Sequence, residues 1–116
     1  MKSRKPRPRR INESAARYST RLPARVQKDL DSTRKILMRH GARRIILYGS
    51  FARGDFQASS DLDLCVEGMP DDQYFPAWAE VLMKIPRRVS ILDLKGIGGY
   101  LKERILSEGR TLYAAN

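Results

Sequence analysis

The chain has 116 residues, 41% of them hydrophobic, and a formal net charge of +10, which is enough for one domain with a single core and too little for two. Its one cysteine, Cys65, excludes an intrachain disulfide and suits a reducing compartment. No apolar run is long enough to span a bilayer, and none follows the basic start as a secretory signal requires, so a soluble cytoplasmic protein is expected.

The charge is unevenly spread. Residues 1–48 hold fifteen Lys and Arg against three acids, and the remaining residues are slightly acidic. Residues 1–20 combine Lys, Arg, Pro and Ser with almost no apolar side chains, so they are expected to form a disordered basic arm ahead of a domain over residues 21–116. Three roles fit such an arm: a solvated tail, contact with the phosphates of a nucleic acid, or an organelle presequence, the last disfavoured by Pro6 and Pro8.

From about Pro23 to His40, Val26, Leu30, Ile36 and Leu37 recur near the helical period, with Gly41 placed to end a helix that packs one stripe on a sheet. His40, in its last turn, is expected to favour the helix C-terminus by its charge. Ile45 to Tyr48 is a β-prone apolar run that stops at Gly49-Ser50 and turns into a short helix through Phe51-Ala52-Arg53. A second strand opens at Asp61-Leu62-Asp63-Leu64. Asp71 or Asp72 starts a helix that Pro86 closes, and its Tyr74, Phe75 and Trp78 are expected to face the core rather than to stack on a base. Residues 88–94 read as a third strand. A glycine-rich loop leads to a helix over residues 100–107, which Gly109 terminates before a short strand at residues 111–113. The loop's glycines lack the strand and spacing of a dinucleotide-binding turn.

Chemistry concentrates between Ile45 and Val66. Side chains alternate along a strand, so Asp61 and Asp63 share one face while Leu62, Leu64 and Val66 take the other. Gly49 permits close backbone approach, and Ser50 offers a hydroxyl beside the unpaired amides of a helix start, a combination that favours an anion. Two carboxylates beside a phosphate cradle suit Mg²⁺ carrying a nucleotide, with Asp61 and Asp63 as the metal ligands. Arg53, one helical turn past Ser50, either neutralises the same phosphates or pairs with Asp55. The alternative for the two aspartates is a loop exit pairing with the basic arm. Cys65 shares their face, but a thiol suits softer metals, so it is expected to fill space beneath the site.

The spacing G-S-x10-D-x-D resembles the signature of the polymerase-β-like nucleotidyltransferases, and GSFARGDFQASSDLDL resembles their minimal, single-domain branch. The likeness runs from about Arg43 to Tyr113; its tail, LKERILSEGRTLY, is similar to that branch's closing helix and strand. The resemblance implies an α/β fold with a small mixed sheet and helices packed on it. It also implies Mg²⁺-dependent transfer of AMP from ATP, with Asp61 and Asp63 catalytic and Gly49, Ser50 and Arg53 binding the nucleotide. Minimal members are often antitoxins whose acceptor is a tyrosine of a partner HEPN ribonuclease toxin.

One departure stands out. The resemblance calls for a third carboxylate on the following strand to activate the attacking hydroxyl, and within Val89-Ser90-Ile91-Leu92-Asp93-Leu94 that place falls to Ser90. A serine cannot act as a general base near neutral pH. Asp93 lies three residues on, and only a bulge would turn it into the site. The alternative function is therefore a nucleotidyltransferase fold with weakened catalysis that neutralises a partner, or binds RNA, by contact alone.

Overall fold

The computed structural model of the chain describes residues 22–115; the arm expected over residues 1–20 lies outside the described residues. Helix α1 (Ala24–Arg39) buries Val26, Asp29, Leu30, Thr33, Ile36 and Leu37 on one stripe and leaves Arg25, Lys28 and Lys35 to water. Strand β1 (Arg44–Tyr48) leads through Gly49 into the one-turn helix α2 (Ser50–Arg53). Strand β2 (Leu62–Glu67), helix α3 (Asp71–Lys84), strand β3 (Val89–Asp93) and a 3-10 turn (Leu94–Gly96) follow. Helix α4 (Gly99–Glu108) and strand β4 (Arg110–Ala114) complete the fold.

The four strands form one mixed sheet in the order β3-β2-β1-β4. β1 is antiparallel to both β2 and β4, whereas β2 and β3 run parallel, with α3 as their crossover. Period-two alternation then divides the sheet into two faces. Ile45, Leu47, Leu62, Leu64, Val66 and Ile91 point into the main core beneath α1 and α3, where Phe51 of α2 is also fully buried. The opposite face carries a smaller cluster of Ile46, Cys65 and Leu94 against Ile105 of α4. Gly109 makes the α4–β4 turn close enough that any Cβ there would overlap the Ile105 carbonyl and the Ile46 side chain.

Two expectations are corrected by this packing. In α3 the buried positions are Ala77 and Val81, while Phe75 is 71% exposed and Trp78 is 40% exposed. Of the three aromatic residues, Tyr74 alone turns inward, its hydroxyl donating to the Ile91 carbonyl at the sheet edge. His40 does not serve α1 through its helix end alone. Its ring bridges Gln73 Oε1 at 2.9 Å and Glu80 Oε1 at 2.8 Å, so it ties α1 to α3. Glu80 also meets Arg39 and Lys84, and hydrogen bonds from Arg39, Lys84 and His40 hold its carboxyl well below the usual carboxylate range.

A nearly buried ion pair fastens the loop that carries Asp61. Arg87 Nε lies 3.1 Å from Asp29 Oδ2 of α1, and its Nη1 donates to the carbonyls of Ala58 at 2.8 Å and Ser60 at 3.3 Å. Removing one partner from such a pair strands the other charge away from water, at a cost of about 3–5 kcal/mol. Urea unfolding of Arg87→Ala is expected to show a loss of about that size, and the Arg87→Ala, Asp29→Asn double variant a smaller loss than Arg87→Ala alone.

Candidate active site

The turn between β1 and α2 is built on glycine. Gly49 has φ 77° and ψ −157°, a combination open almost solely to glycine. The space a Cβ would need is filled by the Asp63 carboxylate, which would overlap any side chain placed there. Ser50 opens α2, and the amides of Ala52 and Arg53 bond the Gly49 carbonyl at 3.1 and 3.0 Å. Gly54, left-handed at φ 93°, caps the helix after one turn. The turn is held from below by Phe51, whose ring packs 4.7 Å from that of Phe56.

Strand register brings the remaining groups together. Asp63 is paired with Tyr48 across β1–β2 and with Ser90 across β2–β3, so the three side chains share the face away from the main core. Asp61, just ahead of β2, acts on the same spot. The Asp63 carboxyl is pushed above its ordinary range by partial burial first and by the Asp61 charge second, with Arg53 opposing. The Tyr48 phenol is likewise pushed up, by burial and then by Asp63, and it meets the Ser90 side chain. Asp61 has Arg88 Nη1 at 4.0 Å as its described cationic neighbour, and Arg53 Nε pairs with Asp55 Oδ2 at 3.3 Å. Of the two readings of Arg53, the ion pair with Asp55 is formed, and the guanidinium charge also reaches Asp63.

Asp93 is not brought to this group. It pairs with Val66 at the far end of β3, and its carboxylate accepts the Lys95 amide at 3.1 Å as the cap of the 3-10 turn. No bulge interrupts β3 to redirect it, so Ser90 is the β3 residue beside Asp63. Cys65 is fully buried one pleat below, its thiol pushed up to about 11 by burial and then by Asp93. Among the described residues no three His, Cys, Asp or Glu side chains gather. The donor set is two carboxylates and hydroxyls, all hard oxygen, and two like charges held together disfavour each other until a cation joins them. That fits a magnesium ion better than a transition metal.

Residues that sequence inspection passes over also shape the site. Arg87 holds the loop before Asp61, and Tyr48, read there as a strand residue only, faces Asp63 and Ser90. The Arg87–Asp29 pair spans 58 residues and has no local signature. The position of Tyr48, one residue before Gly49, was the available signal for its facing the site.

The Asp63 shift sets a pH dependence. A carboxyl whose folded pKa is raised costs stability above the ordinary carboxylate range and none below it. Asp63→Asn is therefore expected to melt about 2–4 °C higher than the parent at neutral pH, an advantage that fades as the pH falls below the ordinary carboxylate range. Scanning calorimetry with added Mg²⁺ is expected to raise the melting temperature of the parent and leave that of Asp63→Asn in place.

Comparison with known proteins bears on the family and the fold. Residues 31–116 match the family model described as polymerase beta, nucleotidyltransferase. A protein of Methanocaldococcus jannaschii named as a candidate protein adenylyltransferase is 33% identical over 93 residues, covering 74% of this chain and 93% of its own length. A solved structure described as a candidate minimal nucleotidyltransferase superposes with a TM-score of 0.60 at 28% identity, over 73% of this chain and 90% of its own. A chain from the complex of a tri-AMPylated Shewanella oneidensis HEPN toxin with its MNT antitoxin gives a TM-score of 0.59 at 17% identity, over 77% and 72% of the two chains. At that identity the last likeness is one of fold. With three quarters of its length inside the family model, the chain belongs to the polymerase β nucleotidyltransferase family.

Proposed function

We propose that the protein transfers AMP from ATP to a tyrosine hydroxyl of a HEPN ribonuclease toxin and so acts as an antitoxin. The observation that carries the reading is the seating of Asp63 on Gly49, with Asp61 close enough to raise its pKa. Asp61 and Asp63 would hold Mg²⁺, which when bound supplies Lewis-acid neutralisation of phosphate charge. The Ser50 hydroxyl and the opening amides of α2 bind the outer phosphates, and Arg53 adds a cation that Asp55 holds only at an exposed surface. The name of the Methanocaldococcus relative and the AMPylated toxin beside the Shewanella antitoxin support adenylyl transfer to a protein.

The surface supports a protein acceptor as well. Phe75, Trp78 and Leu82 line an outward stripe of α3, extended by Met83, all of them exposed. Isolated exposed apolar residues are ordinary, but a contiguous stripe at helical spacing marks an interaction face. A groove of about 380 Å³ is lined by Phe75 and Trp78 of α3 and by Val89 and Ser90 of β3, so the face adjoins the strand that pairs with Asp63.

Ser90 bears on which hydroxyl is usable. Without a third carboxylate the site has no strong base of its own, and a phenol, with a pKa near 10, gives up its proton far more readily than a serine or threonine alcohol. Tyrosine is thus the protein hydroxyl best matched to a two-carboxylate site. The same residue favours a second reading, in which the fold binds nucleotide and neutralises its partner by contact without transfer.

Incubation with ATP labelled at the α-phosphate, Mg²⁺ and a co-expressed HEPN partner is expected to label a partner tyrosine. Nucleotide binding without any labelled partner would count against transfer. If label appears only in Ser90→Asp, with a gain of about a hundredfold or more, the contact-only reading is correct for the natural chain. Replacing Phe75 and Leu82 together by Asp is expected to weaken partner binding at least tenfold in titration calorimetry while leaving the ATP dissociation constant unchanged.

A further inference from the structure

A small cavity opens beside the glycine turn, on the side away from Ser90. It holds about 140 Å³ and is lined by Tyr48, Gly49 and Arg53 from the turn and by Leu101, Arg104, Ile105 and Glu108 from α4. That volume is well below the roughly 300–1,000 Å³ of pockets that take drug-sized ligands, so it suits a phosphate group rather than a nucleoside. Two arginines, Arg53 and Arg104, line the same space, while Leu101 and Ile105 give it an apolar wall that strengthens any charge interaction within it.

Arg104 is held where it stands by weak contacts. Its Nη2 and Nε lie 3.1 and 3.4 Å from the two carboxylate oxygens of Glu108, one helical turn on, and its guanidinium sits 5.7 Å from the centre of the Tyr100 ring. An exposed pair at this helical spacing contributes little, and stacking on a ring leaves the edge of the guanidinium fork available. A doubly charged terminal phosphate, offered the same fork in a partly apolar cavity, is the stronger partner.

We infer that this cavity is a subsite for the terminal phosphate of a nucleoside triphosphate, gripped by Arg104 from α4 and Arg53 from α2. The inference rests on the nucleotidyl-transfer reading and deepens it. Arg104 distinguishes triphosphates from monophosphates, because AMP has no phosphate that extends past the turn. Glu108 competes with the ligand for Arg104 and weakens binding in proportion. The pair therefore sets triphosphate affinity from outside the carboxylate site, through α4, whose Ile105 packs on Ile46, Cys65 and Leu94.

The test is titration calorimetry of the full chain with ATP and with AMP, in Mg²⁺ and without partner. Arg104→Gln is expected to raise the dissociation constant for ATP roughly ten- to a hundredfold and that for AMP less than twofold. Arg104→Lys, which keeps the charge and loses the fork, is expected to fall between the parent and Arg104→Gln. Glu108→Gln is expected to tighten ATP about twofold. A melting curve within a few degrees of the parent shows that each variant is folded. Equal loss for ATP and AMP, or no loss for either, overturns the subsite while leaving the nucleotide reading intact. A parent chain that binds neither nucleotide overturns both.

Discussion

The structure depends on one close approach: the carboxylate of Asp63 occupies the volume that a side chain at position 49 would fill. Everything else in the site follows from keeping that contact open. A glycine is required there twice over, for φ 77° and for the missing Cβ. The turn must be sharp, so α2 lasts a single turn and ends at a left-handed Gly54. Phe51 is driven into the main core, which fixes the turn against the sheet far more firmly than a surface loop would allow.

Electrostatics works against this contact and packing offsets it. Asp61 and Asp63 repel, and Asp63 is partly shielded from water, so the site is a local cost to the fold. The loop ahead of Asp61 cannot relax that repulsion by swinging away, because Arg87 grips two of its carbonyls and is itself fixed to Asp29 of α1. A pair of charges held together under strain is preorganised for a cation: the reorganisation that binding would otherwise require has been met during folding. Stability given up at a site and recovered in the core is the usual balance in enzymes.

The parts of this arrangement that follow local periodicity were legible in the sequence. Alternation along Ile45–Tyr48 and Leu62–Val66 sorts the core side chains from Asp63, and the turn predicted at Gly49 is the one that Asp63 abuts. Periodicity failed where it was ambiguous. In α3 the rows 74, 77, 81 and 75, 78, 82 have the same helical spacing, and the expectation that Tyr74, Phe75 and Trp78 all face the core drew on both. Small Ala77 lies buried instead, where its size permits close packing, and leaves Phe75 and Trp78 outside. Long-range polar pairing left no trace at all: Asp29 with Arg87 and His40 with Glu80 are brought together by tertiary packing, and each residue alone reads as an ordinary surface group.

Ser90 connects the chemistry with the shape of the surface. A strong base beside Asp63 would accept almost any hydroxyl that reached it, so discrimination among acceptors would rest on docking alone. With a serine in register at that position, the intrinsic acidity of the acceptor enters the selection, and a phenol is favoured over an alcohol before any contact is made. Under the proposed function, the groove lined by the exposed α3 stripe and Ser90 would have a narrower task, to deliver a tyrosine rather than to reject serines and threonines. Under the proposed function, a weak general base and the exposed apolar stripe of α3 would be two halves of one device: slow chemistry demands a long-lived complex, and buried apolar area supplies the slow dissociation that gives it.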